Sequence, residues 1–434
     1  MKKIIAVVLS VMFLFSLTAC TEKKASDTSS KTNATTSPNT DNLKKVKIGA
    51  ILLHNETVGY DKNFIDALEA AKASIGADKV EIIYKKDTPE TVKAYDNAVD
   101  LAEQGCNIIF ADSFSHEPFI IKAAKEYPDI QFIHATGVNA KLSGLANMHN
   151  AFAKIFQGRY LAGVTAGLKM NELIAAKKIT EAQAKIGYIA AMPYAEVISG
   201  YTSFYLGARS VCPSATMEVT VTGTWADYAK ENEAAKLLIK DGCVVISEHA
   251  DTYGSSEACE ANMKAGGISY HVGYNVDFNE KAPTANLVSS KINWLPYFEN
   301  AIKMVQTGGT IPVDSCEGLE DGSVALTAFN DAIVTADMKA KVDEVSKKIL
   351  SGETKVFDTK TFKLADANVL EKAYIFPSMY KVDGEGHLTS YMADAIADPK
   401  FTPDTQVIIN GEFSESTFRS APYFNIIIDG VTLK

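Results

Sequence analysis

The segment QGCNIIFADSFSHE, residues 104–117, and the segment DGCVVISEHADT, residues 241–252, share the same order of residue types. In each, Gly-Cys precedes a short apolar run, and polar residues that include an Asp follow the run. A short apolar run bounded in this way is typical of a buried strand. In open parallel sheets, ligands bind beyond the carboxyl ends of the strands. The two segments therefore predict two related strand ends that carry polar side chains into a binding site.

The chain around these segments alternates strand-like and helix-like stretches in two successive runs. The first run extends from the apolar stretch 46–53 to the stretch 131–135, and the second extends from 185–191 to 271–273. Such alternation is typical of βαβ units and of a mostly parallel sheet. We therefore expect an α/β protein with two similar lobes, each a mostly parallel sheet flanked by helices, that closes on a small molecule.

The same alternation predicts how the chain is divided between the lobes. We expect the first lobe at residues 46–170, the second at 171–290, and a return to the first lobe at 291–354. A long helix at 152–170 lies at the crossover, and a helix at 294–307 leads back. The C-terminal segment, 355–434, has no predicted place, although APYFNIIIDGVTLK at 421–434 is strand-like.

The N-terminus has the features of an exported, lipid-anchored protein. Two lysines precede an apolar run from Ile4 to Phe15, which is short for a membrane span. The run leads into Leu-Thr-Ala-Cys at 17–20, which resembles a bacterial lipobox and implies cleavage before Cys20 and a lipid on that residue. We expect a signal peptide at 1–19, a flexible tether at 20–45, and an extracytoplasmic body anchored to the cell membrane. An ordinary signal peptide with an incidental cysteine is the alternative.

Composition and motifs disfavour several classes of function. The formal net charge of −10 and the absence of a basic stripe disfavour nucleic-acid binding. Five cysteines remain after Cys20 without a CxxC spacing, and the histidines form no ligand-like pair, so we expect neither a metal nor another cofactor. His249 and Asp251 have the spacing of a base and its orienting acid, but no nucleophile lies beside them in the sequence. A polar ligand lining is the favoured interpretation, and we expect no enzymatic activity.

Five stretches resemble the basic membrane protein, or PnrA-like, family of substrate-binding lipoproteins of ABC importers. The resemblance extends from about Lys47 to about Thr307. The stretches are EYPDIQFIHATG (126–137), GRYLAGVTAGL (158–168), KIGYIAAMPYAEVISGYTSFYLGARSV (185–211), TGTWADYAKENEAAKLLIKDGCVVISEHADT (222–252) and NWLPYF (293–298).

The resemblance implies a two-lobed fold like that of periplasmic binding proteins and a small-molecule ligand, either a purine nucleoside or, in a subgroup, a free purine base. It implies ABC permease subunits as partners and a monomeric body. Where the family commonly has Gly-Val-Asp-Ser-Asp, this chain has GYNVD at 273–277, so Asn275 replaces an acid that resembles a ribose-binding position. This favours a base over a nucleoside. The alternatives are another small solute, such as a sugar, or a ligand sensor without a transport role.

The candidate ligand-binding residues fall into two chemical groups. Aromatic faces would stack on a flat ring, and polar side chains would hydrogen-bond to its edge. Phe64, Trp225 and Trp294 have a packed interior position as their alternative, whereas Asp112 is interpreted as a helix cap and His249 as structural. The aromatic candidates are Tyr60, Phe64, Phe114, Tyr201, Trp225 and Trp294. The polar candidates are Asp61, Ser113, Asp251, Asn275, Asp277 and Lys291.

Overall fold

The computed structural model describes residues 44–434. The predicted signal peptide at 1–19, the lipid site at Cys20 and nearly all of the tether at 20–45 lie outside the described residues. Within residues 44–434, no helix combines the length and the apolar content needed to cross a bilayer.

The described residues form eighteen strands and eleven α-helices. The strands are β1 Val46–Ile51, β2 Val80–Lys85, β3 Ile108–Ala111, β4 Gln131–Ala135, β5 Met148–Ala153, β6 Lys185–Ala190, β7 Thr216–Val221, β8 Val245–His249, β9 Tyr270–Tyr274, β10 Asn286–Ile292, β11 Asp314–Glu317, β12 Val324–Leu326, β13 Tyr380–Val382, β14 Leu388–Ala393, β15 Thr405–Gln406, β16 Ile408–Ile409, β17 Glu412–Phe413 and β18 Val431–Leu433. The helices are α1 Gly59–Ile75, α2 Val92–Glu103, α3 Glu117–Glu126, α4 Ala140–Ser143, α5 Ile155–Ala175, α6 Ala195–Val211, α7 Tyr228–Lys240, α8 Gly254–Lys264, α9 Leu295–Thr307, α10 Ala336–Leu350 and α11 Ala367–Lys372.

The first sheet is parallel throughout, in the order β11-β5-β4-β3-β1-β2. Its central strands β1 and β3 are largely apolar and buried because helices cover both faces. Ile48 and Ala50 of β1 pack in one core with α1 and α9, whereas Ile51 packs in a second core with α2 and α3. The expected strand-helix alternation of this region is confirmed.

The second sheet has the order β12-β10-β9-β8-β6-β7-β18 and is parallel except for β12, an antiparallel edge strand. One face packs against α5 and α6, and the other packs against α7 and α8. The α/β prediction with two mostly parallel sheets is therefore confirmed.

Both sheets change winding direction at the same place. The first strand of each sheet lies between its second and third strands, β1 between β2 and β3, and β6 between β7 and β8. A crevice forms at the carboxyl ends of the strands where the winding reverses, and this is the usual ligand site of such sheets. Segments 104–117 and 241–252 contain β3 and β8, which are the third strands of their respective sheets.

Helices α5 and α6 pack closely because glycines face each other's backbone. A Cβ on Gly163 would collide with the carbonyl oxygen of Phe204, and one on Gly207 would collide with that of Tyr160. The stretch GRYLAGVTAGL therefore provides a helix-packing surface against the second sheet's helix. The helix expected from residue 152 begins at Ile155, because Phe152 belongs to β5.

The expected lobe boundaries stay predictions, but the strands correct one part of the division. Segment 291–354 does not return to the first sheet as one block: β11 pairs with β5 there, whereas β12 pairs with β10 in the second sheet. Helix α10 packs against α5. The physical reason is that the apolar face of α10 completes the core that α5 and α6 cover.

The C-terminal segment packs on the second sheet's side of the molecule. Strands β13, β14 and β15 form a small sheet, β16 and β17 form a hairpin, and β18 pairs in parallel with β7. The ring centre of Phe357 lies 5.3 Å from that of Phe156 on α5, and this contact packs the segment against the core that contains α5 and α6. The strand-like stretch 421–434 contains only β18 as a regular strand.

Candidate ligand-binding cleft

A cavity lies between the carboxyl ends of the strands of the two sheets. Its volume is about 20 Å³, so the cavity is narrow. Loops and helix starts of both sheets contribute to it. The lining residues are Leu53, Tyr60, Asp112, Ser113, Phe114 and Thr136 from the first sheet's side, and Glu196, Trp225, His249, Asp251 and Tyr274 from the second.

The wall on the first sheet's side is built at the ends of β1, β3 and β4. Asp112, Ser113 and Phe114 follow directly after the apolar run of β3, as expected for a strand end that opens into a site. The Tyr60 hydroxyl, at the start of α1, donates to the carbonyl oxygen of Asp112 at 2.8 Å. The Ser113 hydroxyl donates to Glu90 Oε1 at 2.6 Å. The first bond fixes the loop after β3 against α1, and the second fixes it against the segment just before α2.

The wall on the second sheet's side uses the ends of β6 to β9. Glu196 lies in the first turn of α6, just after β6, and Trp225 follows β7. His249 is the last residue of β8, Asp251 follows it by two positions, and Tyr274 is the last residue of β9. The polar residues at the end of DGCVVISEHADT lie at the cleft because β8 ends there.

Aromatic rings from both walls meet at the mouth of the cleft. The ring centre of Phe114 lies 5.5 Å from that of Tyr194, which lies 6.0 Å from that of Trp225. Phe114 and Tyr194 are 38% and 42% exposed, whereas Trp225 is half-buried. Exposed rings at a cleft give flat apolar faces on which a planar ligand can stack.

Three carboxyl groups line the cavity, and burial raises the pKa of each. Burial raises the pKa of Asp112 well above its usual range, and the neighbouring Asp61 carboxylate raises it further. Burial raises the pKa of Glu196 to about 7, although the positive charge of Arg159 opposes the rise. Carboxyls in this state can donate as well as accept hydrogen bonds near neutral pH.

Asp251 has its backbone fixed and its carboxylate directed at the cavity. Its N–H donates to the carbonyl oxygen of Trp225 at 3.0 Å, and its carbonyl oxygen accepts from the N–H of Gly59 at 2.9 Å. Among residues 44–434, no hydrogen bond or ion pair engages its carboxylate. Burial, and then the nearby carboxylates, of which Glu231 contributes most, hold the pKa of Asp251 well above its usual range. A ligand N–H would lower the cost of burying this group.

A buried cation lies beneath the floor of the cleft. Arg159 is 1% exposed, donates to the carbonyl oxygen of Glu248 at 2.7 Å, and lies 3.6 Å from the centre of the Tyr274 ring. Its Nε and Nη2 atoms have no hydrogen-bond partner among the described residues. His249 Nε2 lies 3.3 Å from Glu196 Oε1. Burial, and then Arg159, hold the pKa of His249 well below its usual range, so the imidazole is neutral.

The lining chemistry selects against anions. Of the eleven residues that surround the cavity within the described chain, none is a lysine or an arginine, and three are carboxylic acids. A phosphate or carboxylate ligand would have to approach these acids without a facing cation, which is electrostatically unfavourable. The cleft therefore suits a neutral, flat ligand that carries N–H or O–H donors. The described part of the chain contains no cluster of three or more side chains arranged to hold a metal ion.

Comparisons with known proteins agree with this architecture. The family model described as "ABC transporter substrate-binding protein PnrA-like" matches residues 56–360. A purine-binding protein of Brucella abortus is 31% identical over 332 residues, which cover 76% of this chain and 88% of the relative. A putative ABC transporter glucose-binding protein of Haloferax volcanii is 30% identical over 60% of this chain and 62% of its own length.

This chain belongs to the PnrA-like family of ABC transporter substrate-binding proteins. A solved solute-binding protein of an ABC transporter system from Aeropyrum pernix has the same fold, with a TM-score of 0.60 at 16% identity over 76% of this chain and 96% of the other. The resemblance drawn from the five sequence stretches is thus confirmed. As a PnrA-like protein, the chain is an extracytoplasmic receptor with a small-molecule ligand and permease partners.

The PnrA-like cleft contains five of the twelve residues that the sequence indicates as ligand-binding. These five are Tyr60, Ser113, Phe114, Trp225 and Asp251. Asp61 is fully buried behind the wall, where its Oδ1 accepts from the His54 N–H at 2.6 Å. The ligand-binding roles of all twelve stay predictions.

The other six expected residues lie away from the cavity. Phe64 and Trp294 pack together at 4.8 Å in the core of the first sheet, and Tyr201 packs against Tyr188 in the core of the second. Their positions do not support ligand stacking, because protein side chains already cover their rings. Asn275, Asp277 and Lys291 line a separate groove of about 720 Å³.

Sequence reasoning misses six lining residues: Leu53, Asp112, Thr136, Glu196, His249 and Tyr274. Asp112 does not cap the next helix; its Oδ1 accepts from the Leu53 N–H at 3.1 Å and so binds the end of β1 instead. His249 is 2% exposed, yet it borders the cavity. The strand-end rule applied to β9 indicates Tyr274, because this residue directly follows a predicted strand.

The geometry of the PnrA-like cleft is that of a binding site. His249 faces Glu196 rather than Asp251, and the cavity-lining Ser113 hydroxyl donates to Glu90 rather than to an imidazole. No nucleophile and base are therefore paired among the lining residues of the described chain. The family role as a substrate-binding component agrees with this arrangement.

Proposed function

We propose that this chain captures a neutral purine-type ligand, a free base or a nucleoside, outside the cytoplasm and delivers it to an ABC permease. The observation that carries the proposal is the lining of the cleft. Rings from both walls, Phe114 and Trp225 among them, offer stacking faces, and the carboxyls of Glu196 and Asp251 face the same space. Purine rings have two flat faces and N–H groups at their edge, which match these two kinds of side chain.

A similar protein of Brucella abortus is named as purine-binding, and it covers three quarters of this chain. We favour a free base over a nucleoside for two reasons. Asn275 stands where the family pattern has an acid that resembles a ribose-binding residue. Asp277, the acidic residue that remains in the loop after β9, does not line the cavity. Asn275 itself is 2% exposed and lines the separate groove.

A sugar is the second candidate ligand. The relative from Haloferax volcanii is named as a putative glucose-binding protein. Sugar rings also stack on aromatic side chains and donate hydroxyls to carboxylates. The two candidates differ in planarity, because a sugar ring presents C–H groups to an aromatic face whereas a purine presents a π system.

The attachment to the membrane is the other part of the proposal. A lipid on Cys20 would hold the body, as a monomer, near the permease through the tether at 20–45. The Leu-Thr-Ala-Cys stretch after an apolar run supports this assignment.

Isothermal titration calorimetry tests the ligand class. The purified protein is unfolded and refolded to remove carried-over ligand, and it is titrated with adenine, guanine, hypoxanthine, adenosine, guanosine and glucose. We expect a Kd below about 1 µM for a free base and weaker binding of nucleosides. Tighter binding of a nucleoside than of any base would transfer the assignment to nucleosides. Heat with glucose and none with the five purines would establish the sugar alternative.

A further inference from the structure

One side chain of the C-terminal segment reaches the helix that carries a cleft residue. Glu415 is 2% exposed and lies beyond residue 360, where the family match ends. Its Oε1 accepts from the Ser199 hydroxyl at 2.5 Å, and its Oε2 accepts from the Ser416 hydroxyl. A buried carboxylate with both oxygens engaged is held in one orientation, because releasing it would leave an unpaired buried group.

Ser199 lies on the part of α6 that faces the cleft. It follows Glu196 by three positions, and residues three apart share a face of a helix. The next residue, Gly200, lies against the imidazole of His249, since a Cβ there would lie 2.6 Å from Nδ1. Two cleft residues therefore depend on where the first two turns of α6 lie.

The start of α6 lacks a capping side chain, although Val197 and Ile198 are buried in the core. Tyr194, its N-cap residue, makes no side-chain capping bond. An uncapped helix start is less stable than one with a capping side chain. The buried hydrogen bond from Ser199, in the second turn, to Glu415 restrains this end of the helix.

We propose that Glu415 is a positioning residue, which holds the first two turns of α6 through Ser199 and so fixes Glu196 and His249 at the cleft. The C-terminal segment thereby becomes part of the receptor's binding machinery. The consequence for ligand affinity rests on the proposed function, because it requires that the ligand contact Glu196.

Several charged or titratable groups surround this tie, and they set what each variant changes. Burial raises the pKa of Glu415 to about 7, the two serine hydroxyls oppose the rise, and Glu196 adds to it. Replacement by Gln keeps an acceptor for Ser199 and removes the charge, whereas Ala removes both. Of the charged groups nearby, Glu196 raises the pKa of Glu415 and Arg419 lowers it.

The test compares Glu415→Ala, Ser199→Ala and Glu415→Gln with the control Glu412→Gln. Glu412 lies in the same segment and faces Lys355 at 3.9 Å. Amide hydrogen exchange of the ligand-free protein is followed by mass spectrometry in peptides that span 195–203. We expect exchange there to rise about fivefold or more in the two Ala variants and to stay near the wild-type rate in Glu415→Gln. The double variant Ser199→Ala/Glu415→Ala should exchange no faster than Glu415→Ala alone, because both changes remove the same hydrogen bond.

Affinity for the purine that the wild type binds most tightly should follow the exchange rates. We expect it to fall about fivefold in both Ala variants, with recovery in Glu415→Gln. Unchanged exchange at 195–203 in both Ala variants would overturn the proposal, as would equal increases across all helices. If the wild type binds no purine, the proposed ligand class fails, while the exchange rates still decide whether Glu415 positions α6.

Discussion

The backbone N–H of Gly59 donates to the backbone carbonyl oxygen of Asp251 at 2.9 Å, and this bond joins the two walls of the cleft. Gly59 begins α1, which packs on the first sheet, whereas Asp251 follows β8 of the second. A Cβ on Gly59 would lie 3.0 Å from Val276 Cγ2 and 3.3 Å from the Asp251 oxygen. The absence of a side chain is therefore what allows this close approach.

Gly59→Val should weaken ligand binding about tenfold, because the added side chain separates the walls at the contact that closes the cleft. The change lies at the junction of the walls, so we expect a small change in Tm. Calorimetry with the tightest-binding purine measures the first effect. Gly384→Val is the control, since a Cβ at Gly384 meets no atom within 4 Å. Equal affinities of the two variants would show that closure does not use the Gly59 contact.

Asp251→Asn should lower affinity about tenfold or more and should raise stability at pH 7. The variant replaces a carboxylate that accepts from ligand N–H groups by an amide that offers one acceptor and two donors. Burial raises the pKa of Asp251, so the folded state disfavours the ionised form that dominates at pH 7. Calorimetry and denaturant unfolding measure the two effects. Asp343→Asn, exposed on α10, should change neither.

Glu196 should make the protein less stable as pH rises from about 4.5 to about 7. Its folded-state pKa, about 7, lies above the ordinary value of 4.5, so in this window the folded protein keeps a proton that the unfolded chain releases. The free energy of unfolding falls with rising pH when the folded state binds more protons.

Glu196→Gln removes that contribution. Relative to wild type, the variant should gain roughly 1–3 kcal/mol of unfolding free energy between pH 5 and pH 8. Urea unfolding at four pH values measures the difference. Glu233→Gln, on the exposed side of α7, should show a constant difference across the same range. A constant difference for Glu196→Gln as well would mean that Glu196 is ionised throughout.

Phe114→Ala should reduce affinity for a purine about tenfold, since removal of a stacking ring typically costs 1–3 kcal/mol per base. The ring is 38% exposed, so its loss should leave Tm nearly unchanged. Phe376→Ala is the matched control, because Phe376 is 45% exposed and lies outside the cleft. A similar loss of affinity in both variants would point to a general effect of surface aromatic residues.

Cys20→Ser should abolish incorporation of labelled fatty acid and release the protein from the membrane, since the lipid is the proposed anchor. Growth with radiolabelled palmitate, followed by cell fractionation, measures both results. Cys316→Ser leaves the N-terminal stretch intact and should keep the label. Retention of label by Cys20→Ser would place the lipid elsewhere.

The alternating strands and helices could be predicted because each apolar run is buried by its own neighbouring helices. The pairing of residues 104–117 with 241–252 identified β3 and β8, which occupy corresponding places in the two sheets. The strands β11 and β12 were missed. They are short, and only Ser315 and Val324 in them are buried, so no extended apolar run marks either strand.

The site could be predicted where a polar or aromatic residue lies a few positions beyond a recognised strand. Ser113, Trp225 and Asp251 meet this condition. Glu196 lies beyond a turn, so its direction depends on how α6 begins, which no local pattern specifies. Trp294 shows the opposite error, because an aromatic residue in a family-like stretch is equally suited to the core, where it packs against Phe64.

Strand β18 covers the edge of β7 only late in export, because it lies near residue 430 of the chain. It occupies the edge of the second sheet beside β7, and it comprises residues 431–433. More than two hundred residues separate β18 from its partner, so the edge of β7 stays uncovered until residues 431–433 emerge. Uncovered strand edges recruit other chains. Removal of β18 should therefore cause aggregation of the newly exported protein.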